Sequence, residues 1–533
     1  MSSTGLRSTR PASPRSRMFT LRLALLLFAA MAALVLPAAG RAHATTRPAQ
    51  TMYTPPSGTA TKYPRAIRLQ NSGPSNGTLL ATFSVGVTNM PTFPVYRSTD
   101  NGNTWTPISQ ITDTRNGWGM RWEPDLYELP TAIGGFPAGT LLASGASVPP
   151  DRSAIKLDMY ASTDHGVTWT FVSNIATGGE ARTTNGDPAV WEPFLMVSGS
   201  ELIAYYSDQR DPAHGQKLVH QTSTDGIHWG SVVNDVAMPT YTDRPGMATV
   251  AELPNGKYVM TYEYGGSPAG NYAVYYKVSA DPEGFGNVTG IPLRTTDGVV
   301  PSGTPVITWL PTGGPNGTLA VTAHSDSRLF LNTQNGAANT WTHVNSTVAA
   351  GYSRALLPLA DGHSLEVINA AGTVTYGTTD LGGGVTDGAV YTATNLRSGL
   401  ELTIAGGTIA NGKAATQQHS DGGADQQWQV VEQQSGYFTI RNMASGQVLG
   451  VQHQSADNGA PVIEWDDTGT LDHEWAVAPH PAGGYSLVNR ISGKYLEIPN
   501  ASATVGAAAD QWSDTGCSCQ QWNLKLDRQV HRQ

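Results

Sequence analysis

At 533 residues the chain exceeds what one ordinary core supports, so at least two domains are expected. A formal net charge of −9, with no long basic run after residue 41, removes the electrostatic case for nucleic acid as a partner. Charged residues are only 14% against 59 Gly, 34 Pro, 13 Trp and 20 Tyr, a balance that favours short strands and turns over helices. The aromatics either fill β-cores or offer flat faces on which sugar C–H groups pack.

In chain order, residues 1–44 read as a secretory signal. Arg7, Arg10, Arg15 and Arg17 form a basic leader, Leu21 to Leu36 is apolar except for Arg22, and Ala42-His43-Ala44 is a small-x-small cleavage site. The apolar run is too short and wrongly flanked for a stable membrane span, and no later stretch is apolar enough for one. The mature chain is therefore expected to be exported and extracellular, without a membrane partner, and a monomer.

Residues 45–380 carry one unit six times, a strand, a Gly-rich turn and a second strand. The units begin at Arg65, Glu123, Glu192, Arg244, Thr304 and Arg354. Six such units at blade-like spacing predict an all-β fold with a six-bladed β-propeller. Within three units a shorter motif recurs, at Ser98-Thr-Asp100-Asn-Gly102, Ser162-Thr-Asp164-His-Gly166 and Ser223-Thr-Asp225-Gly226, each followed by Trp105, Trp169 or Trp229. These resemble Asp-box repeats, in which Asp binds its own turn backbone and Gly takes positive φ, so Asp100, Asp164 and Asp225 are expected to be structural.

Residues 381–390, containing Leu381-Gly382-Gly383-Gly384, read as a linker. Beyond it, in 391–533, Trp428, Trp475 and Trp522 recur every 47 residues in Gln426-Gln-Trp428, His473-Glu-Trp475 and Gln520-Gln-Trp522. This pattern resembles the ricin-B-type β-trefoil, which implies sugar binding. A ricin-type pocket needs an acceptor early in a repeat and an aromatic platform about fifteen residues later. The third repeat offers Glu497 and Trp512. The second offers Trp465, with Gly450 where the acceptor should be and Asp472 beside its core motif. The first has only Thr403 and His419. The two cysteines, Cys517 and Cys519, suggest free thiols or a local bridge rather than a metal pair, and no metal or cofactor is expected.

The residues that open inner propeller strands point towards one axial pocket. Five of the six openers, Arg65, Glu123, Glu192, Arg244 and Arg354, are charged, and buried charges of both signs are costly unless they serve a ligand or lock the blades together. Second strands end near the same pocket with Asp208, Glu263, His324 and Asp326, and Glu263 lies between Tyr262 and Tyr264.

Four stretches resemble glycoside hydrolase family 93: Trp191-Glu192-Pro193-Phe194-Leu195, Tyr205-Tyr206-Ser207-Asp208-Gln209-Arg210-Asp211-Pro212, Asp243-Arg244-Pro245-Gly246-Met247 and Tyr262-Glu263-Tyr264-Gly265-Gly266. The resemblance spans about residues 50–375. It implies an exo-acting, retaining arabinanase on a six-bladed propeller, releasing arabinobiose from α-1,5-L-arabinan of pectic side chains, with Glu192 and Glu263 as the catalytic carboxylates. Arg65, Glu123, Asp208, Arg244, Tyr262, Tyr264 and Arg354 are the candidate substrate-binding residues. A guanidinium near Glu192 would lower its pKa and aromatic walls would raise that of Glu263, favouring Glu192 as nucleophile and Glu263 as acid/base.

Two alternatives remain open. Tyr63-Pro-Arg65-Ala-Ile-Arg68 also resembles a sialidase opening, with Arg65, Arg244 and Arg354 as an arginine triad, although Phe83 to Asn89 lacks the Arg and Asp that a sialidase places there. The other is a non-catalytic propeller-lectin.

Overall fold

The computed structural model describes residues 46–528, apart from Thr88, 314–315, Asp361, 382–384, Thr386, 405–408, 434–436 and 480–483. The expected leader and Gly382–Gly384 lie outside the described residues. The described residues fall within one compact unit. Among the described residues the architecture is all-β: six four-stranded antiparallel sheets, then twelve strands in one sheet.

The six sheets are propeller blades. Their innermost strands are Thr61–Arg68, Met120–Glu128, Val190–Ser198, Arg244–Glu252, Val306–Leu310 and Ala355–Pro358. Each packs on the next, and the sixth on the first, which closes the ring. Period-two alternation buries apolar residues between blades; Leu142, Leu157 and Leu195, for example, share one inter-blade cluster. The sixth blade takes its outermost strand, Arg47–Tyr53, from the other end of the propeller chain, paired with Thr373–Asp380. Arg47 Nη2 donates to Glu366 Oε2 at 2.7 Å and to Thr378 Oγ1 at 2.8 Å, fastening that strand.

The repeated Asp motifs cap outer turns. Asp100 accepts the Thr104 N–H and hydroxyl, and Asp164 accepts the same pair from Thr168. They also rivet neighbouring blades. Ser109 donates to the Gly166 carbonyl and accepts Trp169 Nε1–H, and Ser173 serves Gly226 and Trp229 likewise. Two divergent copies escape the sequence pattern. In one, Ser279 Oγ accepts the Asp281 N–H; in the other, Asn332 accepts the N–H groups of Gln334 and Gly336 above buried Trp341.

The C-terminal strands, from Val390–Asn395 to Trp522–Arg528, build a β-trefoil. Its three tryptophans are buried and donate Nε1–H to the carbonyls of Leu402, Leu449 and Leu496. Asn395, Asn442 and Asn489 donate to the carbonyls of Cys519, Asp425 and Asp472 in equal fashion. The expected linker is anchored at both described ends: Leu381 packs in the core beside blade six and Val385 in the trefoil core. Across the junction, His363 Nε2 lies 3.8 Å from Glu432 Oε1.

Candidate active site

Four inner strands carry a register shift near their axial end, skipping residues 63–64, 123–124, 192–193 and 247–248. At each shift, and just before the inner strands of blades five and six, one non-glycine residue has positive φ: Tyr63 (53°), Glu123 (63°), Glu192 (63°), Met247 (59°), Thr304 (40°) and Ser353 (57°). Such backbone costs about 1–3 kcal/mol per residue and persists only where its surroundings enforce it. A bulge re-aims its side chain, here towards the axis.

These six residues, not the six openers read from the sequence, are the equivalent positions. Glu123, Glu192 and Thr304 coincide. In blades one, four and six the true positions are Tyr63, Met247 and Ser353, so Arg65, Arg244 and Arg354 fall out of register.

A hydrogen-bond relay joins the ring. Glu123 Oε2 accepts the Glu192 N–H at 2.7 Å, and Glu192 Oε2 accepts the Met247 N–H at 2.7 Å. Met247 offers no acceptor, and Glu263 on the second strand of blade four takes that place, its Oε2 accepting the Thr304 N–H at 2.7 Å. Thr304 Oγ1 accepts the Ser353 N–H at 2.9 Å.

Glu123, Glu192 and Glu263 line a cavity of about 1080 Å³, whose walls include Tyr63, Trp122, Arg152, Arg244, Tyr272, His324 and Tyr352. Glu263 pairs across the sheet with Gly246, and a Cβ on Gly246 would stand 3.3 Å from Glu192 Oε2. A side chain there would also meet Gln216 Nε2 at 2.7 Å, so the glycine leaves room for Gln216 and the Glu192 carboxyl beside the strand pair that carries Glu263.

All three carboxyl groups sit above the usual range. Burial and then the Glu192 charge push Glu263 up to about 7, against the Thr304 N–H and Arg244. Burial raises Glu192 against the Ser207 hydroxyl, the Met247 N–H, Arg244 and Arg65. Burial, then the Glu192 charge, holds Glu123 well above its ordinary value. The expected pull of Arg244 on Glu192 is present, but burial outweighs it. The rise of Glu263 does not come from tyrosine walls: strand alternation turns Tyr262 and Tyr264 to the other face, into the core between blades.

The remaining candidates divide. Arg244 lines the cavity, held by Asn185, Gln209 and Gln216. His324 lines it as well. Arg65 lies behind the wall, donating to Ser353 Oγ at 2.9 Å with its Nε 3.8 Å from Asp125. Five candidates are corrected to structural roles. Asp208 is gripped by the Arg210 guanidinium at 2.8–2.9 Å. Arg354 is buried and donates to the carbonyls of Ser327, Val348, Asp326 and Arg328. Tyr262 is fully buried, and Tyr264 donates to Asp243 at 2.7 Å. Asp326 pairs with Arg328.

Sequence reasoning missed the walls Trp122, Arg152, Tyr272 and Tyr352. Trp122 precedes Glu123 as Trp191 precedes Glu192, a signal that was present in the chain.

In the trefoil, Trp465 and Trp512 are each 39% exposed, large for indoles in a β-core. Glu497 accepts from Gln520 at 2.7 Å and faces Asp510 across the strand pair, and Asp510 Oδ1 is buried without a hydrogen-bond partner. In the second repeat the His473 ring occupies the room a side chain on Gly450 would need, 2.5 Å from its Cβ position, with Asp472 3.5 Å from His473. Cys517 and Cys519 are joined by a disulfide.

Residues 380–465 and 472–531 match the family model described as ricin-type beta-trefoil lectin domain-like. No curated protein sequence matches the chain. Among solved structures, the α-L-arabinofuranosidase of Fusarium graminearum in complex with an iminosugar inhibitor is 42% identical, with a TM-score of 0.60 over 63% of this chain and 98% of that one. The α-L-arabinanase of Penicillium chrysogenum complexed with arabinobiose is 43% identical over the same shares, also at TM-score 0.60. The family 93 α-L-arabinofuranosidase of Fusarium graminearum with arabinobiose is 42% identical, again at 0.60. With a propeller of this sequence likeness, three carboxyl groups at its axis and a lectin-like trefoil behind it, the chain belongs to glycoside hydrolase family 93 and carries a carbohydrate-binding module.

Proposed function

We propose that the protein is a secreted, exo-acting, retaining hydrolase that releases arabinobiose from linear α-1,5-L-arabinan, with Glu192 and Glu263 as its catalytic pair. The observation that carries this reading is that both carboxyl groups line one axial cavity, near enough for the Glu192 charge to raise Glu263. Retention requires two carboxyl groups about 5–5.5 Å apart, one attacking the anomeric carbon while the other protonates the departing oxygen, then deprotonates water. Glu263, raised to about 7, holds a proton available near neutrality. Glu192, bonded by two donors through Oε2, keeps a second oxygen for the substrate. Arabinobiose bound to the Penicillium relative supports the substrate class. The trefoil, through Glu497 and Trp512, with Trp465 and Asp472 as a partial second site, holds the enzyme on pectic polysaccharide.

The test is hydrolysis of debranched arabinan, with the first products separated by size and their anomeric configuration followed by NMR. A disaccharide of retained configuration from the earliest time is expected. A ladder of lengths refutes exo action, and an inverted product refutes retention. Cleavage of sialosides instead of arabinan, or sugar binding without turnover, moves the protein to the sialidase or the propeller-lectin reading. Export is tested by sequencing the secreted chain, expected to begin at Thr45.

A further inference from the structure

We propose that Glu123 is a positioning residue for Glu192, fixing from the neighbouring blade the strained backbone that aims the Glu192 carboxyl. The inference rests on the catalytic reading of Glu192. Glu192 has φ 63°, a conformation that relaxes unless something holds it, and its N–H is held at 2.7 Å by Glu123 Oε2. Glu123 is itself clamped. Its own φ is 63°, it is 6% exposed, and it sits among Tyr63, Arg65 and Glu192.

The relay supplies the contrast. In blade five a neutral hydroxyl, Thr304 Oγ1, holds the Ser353 N–H without placing a titratable group in the wall. Blade two does the same task with a carboxyl group beside another carboxyl group, a costlier choice. A glutamate arm reaches farther than a threonine hydroxyl, and the N–H it reaches belongs to the residue that must meet the anomeric carbon or the leaving oxygen. Displacing such a group by an ångström costs about 10²-fold in rate.

The experiment compares Glu123→Ala and Glu123→Gln in the full chain on arabino-oligosaccharides, with kcat and KM separated and folding followed by circular dichroism. Glu123→Ala removes the acceptor and is expected to lower kcat by about 10²-fold with KM changed little. Glu123→Gln keeps a carbonyl oxygen for the same N–H and is expected to recover most of kcat. Full kcat in folded Glu123→Ala overturns the inference. So does a Glu123→Gln variant as slow as Glu123→Ala, which makes the carboxyl a chemical participant. If Glu123→Ala fails to fold, Glu123→Gln alone decides: near-normal kcat supports positioning and a large loss refutes it. Glu192→Ala in parallel separates the failures, because an active Glu192→Ala refutes the catalytic reading rather than this one.

Discussion

The propeller and the trefoil are both rings of repeated units, yet they place their chemistry differently. In the trefoil the repeated features are bonds: three Trp-to-Leu and three Asn-to-carbonyl contacts recur with the same partners in each repeat. The candidate sugar contacts, Thr403, Gly450 and Glu497, stand at the position where the repeats diverge. In the propeller the repeated feature is backbone strain, and the strained residues, Tyr63, Glu123, Glu192, Met247, Thr304 and Ser353, are themselves the divergent ones. Function is therefore separable from stability in the trefoil and entangled with it on the propeller axis.

The largest effect should come from the axis. Glu192→Ala and Glu263→Ala should each lower kcat by roughly 10³-fold or more while circular dichroism stays native. Azide should restore part of the rate, giving glycosyl azides of opposite anomers from the two variants and so assigning nucleophile and acid/base. Near-normal turnover in either variant would dissolve the contrast.

The next effect tests the trefoil framework. Trp475→Ala empties a buried site and orphans the Leu449 carbonyl, and should cost about 3–5 kcal/mol in denaturant unfolding. Hydrolysis of short soluble oligosaccharides by the folded fraction should be unchanged. Trp512→Ala should abolish retention on insoluble polysaccharide with neither stability nor hydrolysis altered, and Trp465→Ala should weaken retention less. Equal retention by Trp512→Ala and the parent chain removes the third-repeat site.

Smaller again, Asp164→Ala loses the four turn bonds its carboxyl accepts from Ser162, Val167 and Thr168 and should cost about 1–2 kcal/mol, with the rate per folded molecule unchanged. The smallest is a slope. Burial and then the Glu497 charge raise Asp510 from 3.8 to about 7. The folded state therefore binds this proton more tightly than the unfolded chain, and stability falls as pH rises between those values, levelling above about 7. Asp510→Asn should flatten that slope in urea midpoints measured at pH 4.5 and 7.5.

Much of this was legible in the sequence because repeats announce themselves. Six strand–turn–strand units and tryptophans at a spacing of 47 predict both rings. The position of Glu192 and Glu263 on the axial cavity was readable from the residues flanking them. The register was not. Charge drew the reading to Arg65, Arg244 and Arg354, whereas bulge geometry selects the residue before proline in four blades: Tyr63, Glu123, Glu192 and Thr304. The Tyr262 and Tyr264 assignment ignored alternation, which sends neighbours of an inward residue outward. Arg152, Tyr272 and Tyr352 come from connections outside the repeated strands, where no periodicity marks a wall.

The strand Arg47–Tyr53 makes the sixth blade a joint product of two distant segments. Its fastening contacts, Arg47 to Glu366 and to Thr378, span 319 and 331 residues, separations that make pairing slow. During synthesis the ring must wait, open, until residue 380 has emerged. Five blades then stand with an unpaired edge, and the order of translation sets how long that edge stays available to other chains.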